Sequence, residues 1–242
     1  MRSKSRRMKI PQSETRQIIG KGVYSISEAS RLTGVPTGPI ARWTRGYDFL
    51  HHGTKRHSSP IIATEIQSIG GQPVLTFQDM LEVRFLNAFR QHGVGWRAIR
   101  IASQRARELM QYSHPFSTRK FKTDGLTILA DFVDETGDQH LLDLVRNQYA
   151  ISKIISPFLY GGIEYNDFEE PARWFPLKNK RTVVVDPTRN FGAPIVTDFG
   201  IPTRILMQSY QSIHSTKSVA DWYEIDEGPV RDAIRFEKSL VA

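Results

Sequence analysis

The stretch that decides the fold is Tyr24-Ser25-Ile26-Ser27-Glu28-Ala29-Ser30-Arg31-Leu32-Thr33-Gly34-Val35-Pro36-Thr37-Gly38-Pro39-Ile40-Ala41-Arg42-Trp43. Ser25 followed three residues later by Glu28 is the pattern of a capping box, with Val23 or Tyr24 as the outer half of a hydrophobic staple. A helix over about 26–33 then turns Ile26, Ala29 and Leu32 inward. Gly34 stops it, because only glycine enters the left-handed region without strain. Val35-Pro36 makes the turn, and Thr37 is placed to cap a second helix whose first turn tolerates Pro39. Ile40 and Trp43, three apart, face back onto the first helix. Two short helices with apolar inner faces and a tight glycine turn predict a helix-turn-helix.

Downstream, His51-His52-Gly53-Thr54-Lys55-Arg56-His57-Ser58-Ser59-Pro60 followed by Ile61-Ile62 reads as a hairpin with a basic tip, a wing suited to a phosphate backbone. Gly70-Gly71 marks another turn, and Thr76 caps an amphipathic helix that buries Phe77, Met80, Leu81, Phe85 and Phe89. After Gly93 and Gly95 a further helix runs from Trp96 to about Tyr112. It buries Trp96, Ile99, Ala106 and Met110 and presents Arg97, Arg100, Gln104 and Arg107 on the opposite side. Upstream, residues 1–22 read as a flexible basic arm.

The charge follows this organisation. The 242 residues carry +8, and residues 1–60 hold 12 basic against 3 acidic side chains, whereas 61–150 balance at 10 each and 151–242 have 11 against 12. A localised basic block is the electrostatic footprint of a partner rich in phosphate. There is no cysteine, which excludes disulfides, Cys-ligated zinc and iron–sulfur sites, and thiol catalysis. No apolar run reaches the length of a membrane span, and the basic start lacks the apolar core of a secretory signal. The expectation is a cytoplasmic protein with no membrane association.

Residues 113–180 form a connecting α/β segment rich in aromatics. Short strands are expected between Phe116 and Phe132, then a helix carrying Leu141, Leu142, Val145, Tyr149 and Ile154. Phe158, Tyr160, Tyr165, Phe168, Trp174 and Phe175 follow, as core or as a protein-binding surface. Residues 181–242 form a small strand-and-three-helix domain. Val183-Val184-Val185 is its strand, one helix starts at Thr203, a second is capped by Ser215 or Thr216, and the last is capped by Asp226. This second helix-turn-helix-like hairpin is slightly acidic. Opening its last helix with Asp226-Glu227 would set carboxylates against phosphates, so its expected role is dimerisation or protein binding. The fold class is therefore α+β, mainly helical with minor β, built on a winged helix-turn-helix over 23–112.

The chain has no phosphate-binding glycine loop, no dinucleotide fingerprint, no nucleophile elbow and no H-E-x-x-H. His51, His52 and His57 lie in the wing, where solvated histidines are the simpler reading. The acidic groups around Asp131–Asp138 and Glu164–Glu170 read as solvated turns. No enzyme, cofactor or metal is expected.

On these residues the front of the chain, Tyr24 to Trp43 with the wing and the helices to about residue 110, resembles MerR-type regulators. The back resembles the small domain of VapB-type antitoxins through Asp186-Pro187, Phe191-Gly192-Ala193-Pro194-Ile195-Val196, Gly200-Ile201-Pro202-Thr203 and Val230-Arg231-Asp232-Ala233-Ile234-Arg235-Phe236. Together they resemble a large VapB-like antitoxin. The resemblance implies a homodimer that binds double-stranded DNA at its own operator and masks a PIN-domain ribonuclease toxin. Thr37, Arg42, Arg45, Lys55, Arg56, Arg97, Arg100 and Arg107 are the candidate DNA contacts. Tyr160, Tyr165, Phe168, Trp174, Trp222, Tyr223, Arg231 and Arg235 are the candidates for toxin binding or dimerisation. Gly38-Pro39-Ile40-Ala41 offers little for base readout. The alternatives are a MerR-like regulator without a toxin, sensing a small ligand in the aromatic segment 158–175, and a protein scaffold that never meets DNA.

Overall fold

Ser25 sits in extended backbone, and its Oγ accepts a hydrogen bond from the Glu28 amide (3.1 Å) while the Glu28 carboxylate accepts one from the Ser25 amide (2.8 Å). Two amides left over at a helix start are thereby satisfied reciprocally. A computed structural model, which describes residues 18–91, 94–122 and 159–240, shows what this box opens. Helix α1 (Ile26–Thr33) buries Ala29 and Leu32 and ends at Gly34, whose φ of 70° lets its amide reach the Ser30 carbonyl. Helix α2 (Thr37–Arg45) buries Ile40, Trp43 and Thr44. Its start differs from expectation: Thr37 is already the first helical residue, Pro36 holds the capping position, and no side chain caps the helix. Proline's fixed φ sets the entry without a capping side chain.

Strand β1 (Tyr24–Ser25) pairs antiparallel with β5 (Gln72–Leu75), which pairs in turn with β4 (Ser68–Ile69) across Gly70-Gly71. The wing is a separate ribbon, β2 (Tyr47–His51) against β3 (Thr54–Ser58). His52 and Gly53 turn it, both with positive φ (48° and 77°), the geometry that matches the twist of a two-residue hairpin. Ile61 and Ile62, expected as a β-prone pair, are not a strand. Their amides both donate to the Trp43 carbonyl (2.8 and 3.0 Å), and their side chains are buried. They plug the underside of α2.

Thr76 and Asp79 close a second reciprocal cap, Asp79 N to Thr76 Oγ1 at 3.2 Å and Thr76 N to the Asp79 carboxylate at 2.8 Å. Helix α3 (Phe77–Gln91) follows. It is buried on almost every side, with Phe77, Met80, Leu81, Val83, Phe85 and Leu86 fully enclosed, so it is the axle of the main core. Helix α4 (Trp96–Met110) lies beside it, and Trp96 meets Trp43 edge-on at 5.5 Å. The short strands expected from Phe116 begin instead as a 3-10 turn, Pro115–Ser117, followed after an extended Thr118 by helical residues 119–122. The reason is packing: Phe116 and Phe121 enter one aromatic cluster with Phe89 rather than alternating between faces. The rest of that expectation, and the helix through Leu141–Ile154, lie outside the described residues.

β6 (Ile163–Tyr165) and β7 (Pro171–Trp174) form an antiparallel ribbon that carries Ile163 and Trp174 into the main core. β8 (Val183–Val184) and β9 (Ile195–Val196) pair next. Helices α5 (Thr203–Ile213), α6 (Thr216–Tyr223) and α7 (Glu227–Ser239) then enclose a second core of Val196, Leu206, Val219, Ala220, Val230, Ala233 and Ile234. Ser215 caps α6 as expected, whereas Asp226 holds the capping position of α7 without a side-chain bond.

The two cores are bolted together at the back of α1. Tyr24 donates its hydroxyl to the Gly192 carbonyl (2.8 Å), Val23 donates its amide to Phe191, and Arg31 pairs with Glu237 (3.2 Å). Gly192 has a φ of +82°, and a Cβ there would lie 2.3 Å from the Tyr24 hydroxyl. This junction requires glycine on both counts. Among the described residues no helix is long and apolar enough to cross a membrane.

Candidate nucleic-acid interface

Helix α2 buries Ile40, Trp43 and Thr44, so its other side faces solvent, with Thr37, Gly38, Arg42 and Arg45 exposed. Its polar content is two arginines in the last turn and one threonine at the start. The wing projects beyond that last turn with nothing covering either face. Strand register sorts its side chains. Tyr47 lies opposite Ser58, Phe49 opposite Arg56 and His51 opposite Thr54, which puts Tyr47, Phe49 and Arg56 on one face. The Tyr47 and Phe49 rings are 5.8 Å apart, and the Arg42 guanidinium lies 5.8 Å from the Tyr47 ring centre. Arg42, Tyr47, Phe49 and Arg56 thus form a continuous basic and aromatic strip from helix to wing. Arginines interleaved with aromatic edges suit a phosphate backbone and the apolar rims of sugars.

The other face of the wing is electrostatically satisfied. Asp48 pairs with Lys55 (2.9 Å) and with His57 Nδ1 (2.8 Å). Hydrogen bonds from His57 and Lys55 hold the Asp48 carboxyl below its ordinary pKa. Lys55, expected to meet phosphate, already has a carboxylate partner. His51 and His52 stack edge-on at the tip, 4.3 Å apart. Among the described residues no group of three or more His, Asp or Glu is arranged to hold a metal ion.

The arginine stripe of α4 divides by function. Arg97 is exposed. Arg100 donates to the Ser58 hydroxyl (2.8 Å) and the Ser59 carbonyl (2.7 Å), and Arg107 donates to the Ile61 carbonyl (2.6 Å) and to Ser103. Both guanidiniums are spent on the chain that leaves the wing. They act as braces that fix the ribbon's root to α4, and hence its angle to α2. Sequence spacing had suggested direct phosphate contact for all three; the bracing role was hidden because its acceptors lie more than 40 residues upstream. Alanine at Arg100 and Arg107 together is expected to speed amide hydrogen exchange across residues 47–59 while leaving α1 protected. Unchanged exchange in the wing would remove the bracing role.

The eight residues expected to meet a toxin or a second copy do not come together. Tyr160 packs its ring 4.7 Å from Phe85 and donates to the Phe116 carbonyl (3.0 Å). Tyr165 lies half-buried under Arg119, and Trp174 is buried under Arg84. Tyr223 shares a 3.0 Å hydrogen bond with Ser209. These four serve the interior. Phe168 and Trp222 are 83% and 78% exposed, and Arg231 and Arg235 are exposed along α7. Arg231 pairs with Glu227 one turn back (3.9 Å), while Phe168 at the β6–β7 turn and Trp222 on α6 are large apolar side chains left exposed.

Residues 22–103 match the family model described as "Putative DNA-binding HTH domain", a span that contains α1, α2, the wing and most of α4. Across 88% of this chain and 92% of the relative, the sequence is 26% identical to "Putative antitoxin VapB45" of Mycobacterium tuberculosis (strain ATCC 25618 / H37Rv). The fold is similar to the crystal structure of Rv2018 from Mycobacterium tuberculosis, with a TM-score of 0.66 and 24% identity over 87% of this chain and 96% of that one. The chain therefore carries at its front a winged helix-turn-helix similar in sequence to DNA-binding domains, within a whole similar to an antitoxin, and both likenesses are to non-enzymatic regulators.

Proposed function

We propose that the chain is a DNA-binding antitoxin that represses its own operon and neutralises a ribonuclease of the PIN type, acting in the cytoplasm as a homodimer. The observation that carries the reading is that the likeness to VapB45 spans both cores, while the exposed basic strip belongs to the first core alone. The front then engages double-stranded operator DNA through Arg42, Arg45 and Arg56, with Thr37, Lys55 and Arg97 at the edges of the contact. Arg100 and Arg107 act through the wing they hold. The back, with Phe168, Trp222, Arg231 and Arg235, is left for protein, either the toxin or a second copy. An acidic start to α7, Glu227 after Asp226, keeps that hairpin off phosphate.

Co-expression tests the antitoxin half. The product of the neighbouring reading frame, induced alone, is expected to arrest growth. Co-induction with this chain restores growth, and the two proteins co-purify. Equal toxicity with and without the chain overturns this half of the reading and leaves the DNA-binding half to its own test.

A further inference from the structure

A buried arginine without a carboxylate is rare, because an unpaired interior charge costs several kcal/mol. Arg84 of α3 comes close to that case: it is half-buried and has no ion pair among the described residues. Its guanidinium stacks on the Trp174 ring at 4.1 Å, and its Nη1, shut away from solvent, has no hydrogen-bond partner. Burial pulls its pKa down to about 10. The stacking offsets part of the cost of the charge but gives Nη1 nothing to bind.

Arg84 lines a cavity of about 700 Å³ between the β6–β7 ribbon and residues 175–181. The wall is mostly apolar, from Ile163, Trp174, Phe175 and Leu177, and the lining also holds Lys178, Lys180 and Arg181. The one acidic side chain in the lining, Glu164, is held by Arg173 and Arg181. Lys180 is paired with Asp232 at 2.6 Å. The cavity is therefore a concave, mostly apolar, cationic space with the half-buried Arg84 guanidinium in its lining. Its size is that of a small-molecule site. Gly162 maintains the shape: its φ is +75°, and a Cβ there would strike the Phe175 carbonyl.

We infer that this cavity binds a small organic anion, an oxyanion on an apolar or aromatic body, with the anionic group on Arg84 and the body against Trp174 and Leu177. The inference is independent of the antitoxin reading. Neither the basic strip nor the exposed side chains of the C-terminal helices contribute to the cavity.

Isothermal titration of the full chain with benzoate, phenyl phosphate and benzamide tests it. Benzoate or phenyl phosphate is expected to bind, with the preferred anion identifying carboxylate or phosphate as the recognised group, and benzamide is expected to bind at least about tenfold more weakly, the loss of one charge-assisted contact. Arg84→Gln is expected to abolish the preference for anion over amide. Leu177→Trp, which fills the cavity without touching the guanidinium, is expected to abolish binding altogether and serves if the first variant misfolds. Absence of heat with both anions at about 10 mM, the weak limit of a specific small-molecule site, overturns the inference. So does benzamide binding as well as benzoate, or undiminished binding in a folded Leu177→Trp.

Discussion

Replacing Arg42 and Arg45 together by alanine is expected to weaken binding to the upstream DNA of the operon about a hundredfold, at roughly 1.5 kcal/mol for each charged hydrogen bond to phosphate. Both side chains are exposed in the last turn of α2, so the fold loses little when they go. Cations in the last turn favour the helix dipole by only a few tenths of a kcal/mol. The loss should therefore appear in DNA binding and not in the melting temperature. Fluorescence anisotropy across a salt series provides the sharper test. Each phosphate contact contributes about −0.9 to the slope of log K against log salt, so the double variant should flatten that slope by nearly 2. Lys55→Ala should do less, because Asp48 already neutralises that ammonium at 2.9 Å. Affinity and slope both unchanged in the double variant would show that α2 does not face DNA.

How much of this was legible in sequence depends on whether the determining partner was local. Ser25 with Glu28, Thr76 and Gly34 each act within four residues, and each does what the pattern implied; Asp79, which completes the second cap, was not singled out. Two apolar faces three residues apart were enough to pair α1 with α2. The wing was legible through its turn residues and its polarity. The division between its faces was not, since it depends on the register that sets Asp48 beside His57 and Arg56 beside Phe49. Arg97, Arg100 and Arg107 share one helical spacing and look identical in sequence, yet two of them are consumed by carbonyl and hydroxyl oxygens that the fold brings from residues 58–61. The aromatics at 160, 165 and 174 could not be divided between core and surface in sequence because the residues that pack on them, Phe85, Phe116, Arg119 and Arg84, all lie at least 44 positions upstream. Arg84 itself gave no signal: within α3 it is one of two arginines among several polar residues, and nothing local sets it apart from Arg90.

The same long-range assembly places three titratable groups inside the main core, and removing one of them should produce the largest loss of stability in the chain. His114 and Asp79 are both fully buried, with His114 Nε2 2.6 Å from the Asp79 carboxylate. The other Asp79 oxygen accepts from the Thr76 amide at the start of α3. Asp79→Ala strands the imidazole and uncaps the helix at once, and is expected to cost about 3–5 kcal/mol in urea unfolding, the range for breaking a buried pair. Glu82, one turn along, accepts from the Phe116 amide while its second oxygen has no partner, and burial pushes its carboxyl up to about 7. Burial alone would lower His114, but the Asp79 hydrogen bond and the charges of Asp79, Glu82 and Glu65 together raise it above its ordinary value. Both shifts act in the same direction. A raised carboxyl contributes stability that is complete below its ordinary 4.5 and is lost as pH climbs towards about 7, on the order of 3 kcal/mol. The raised histidine contributes in full below its ordinary 6.5 and loses that contribution as pH passes its folded value. Stability should thus decline steadily from pH 5 to above pH 7. Glu82→Gln removes the carboxyl term and should flatten the lower part of that decline, leaving the histidine part. A variant that keeps the full wild-type slope between pH 5 and 7 would show that Glu82 does not titrate there. At neutral pH this neutral isostere, which retains an acceptor for the Phe116 amide, should be more stable than the native chain, because the core no longer has to bury a second carboxylate beside Asp79.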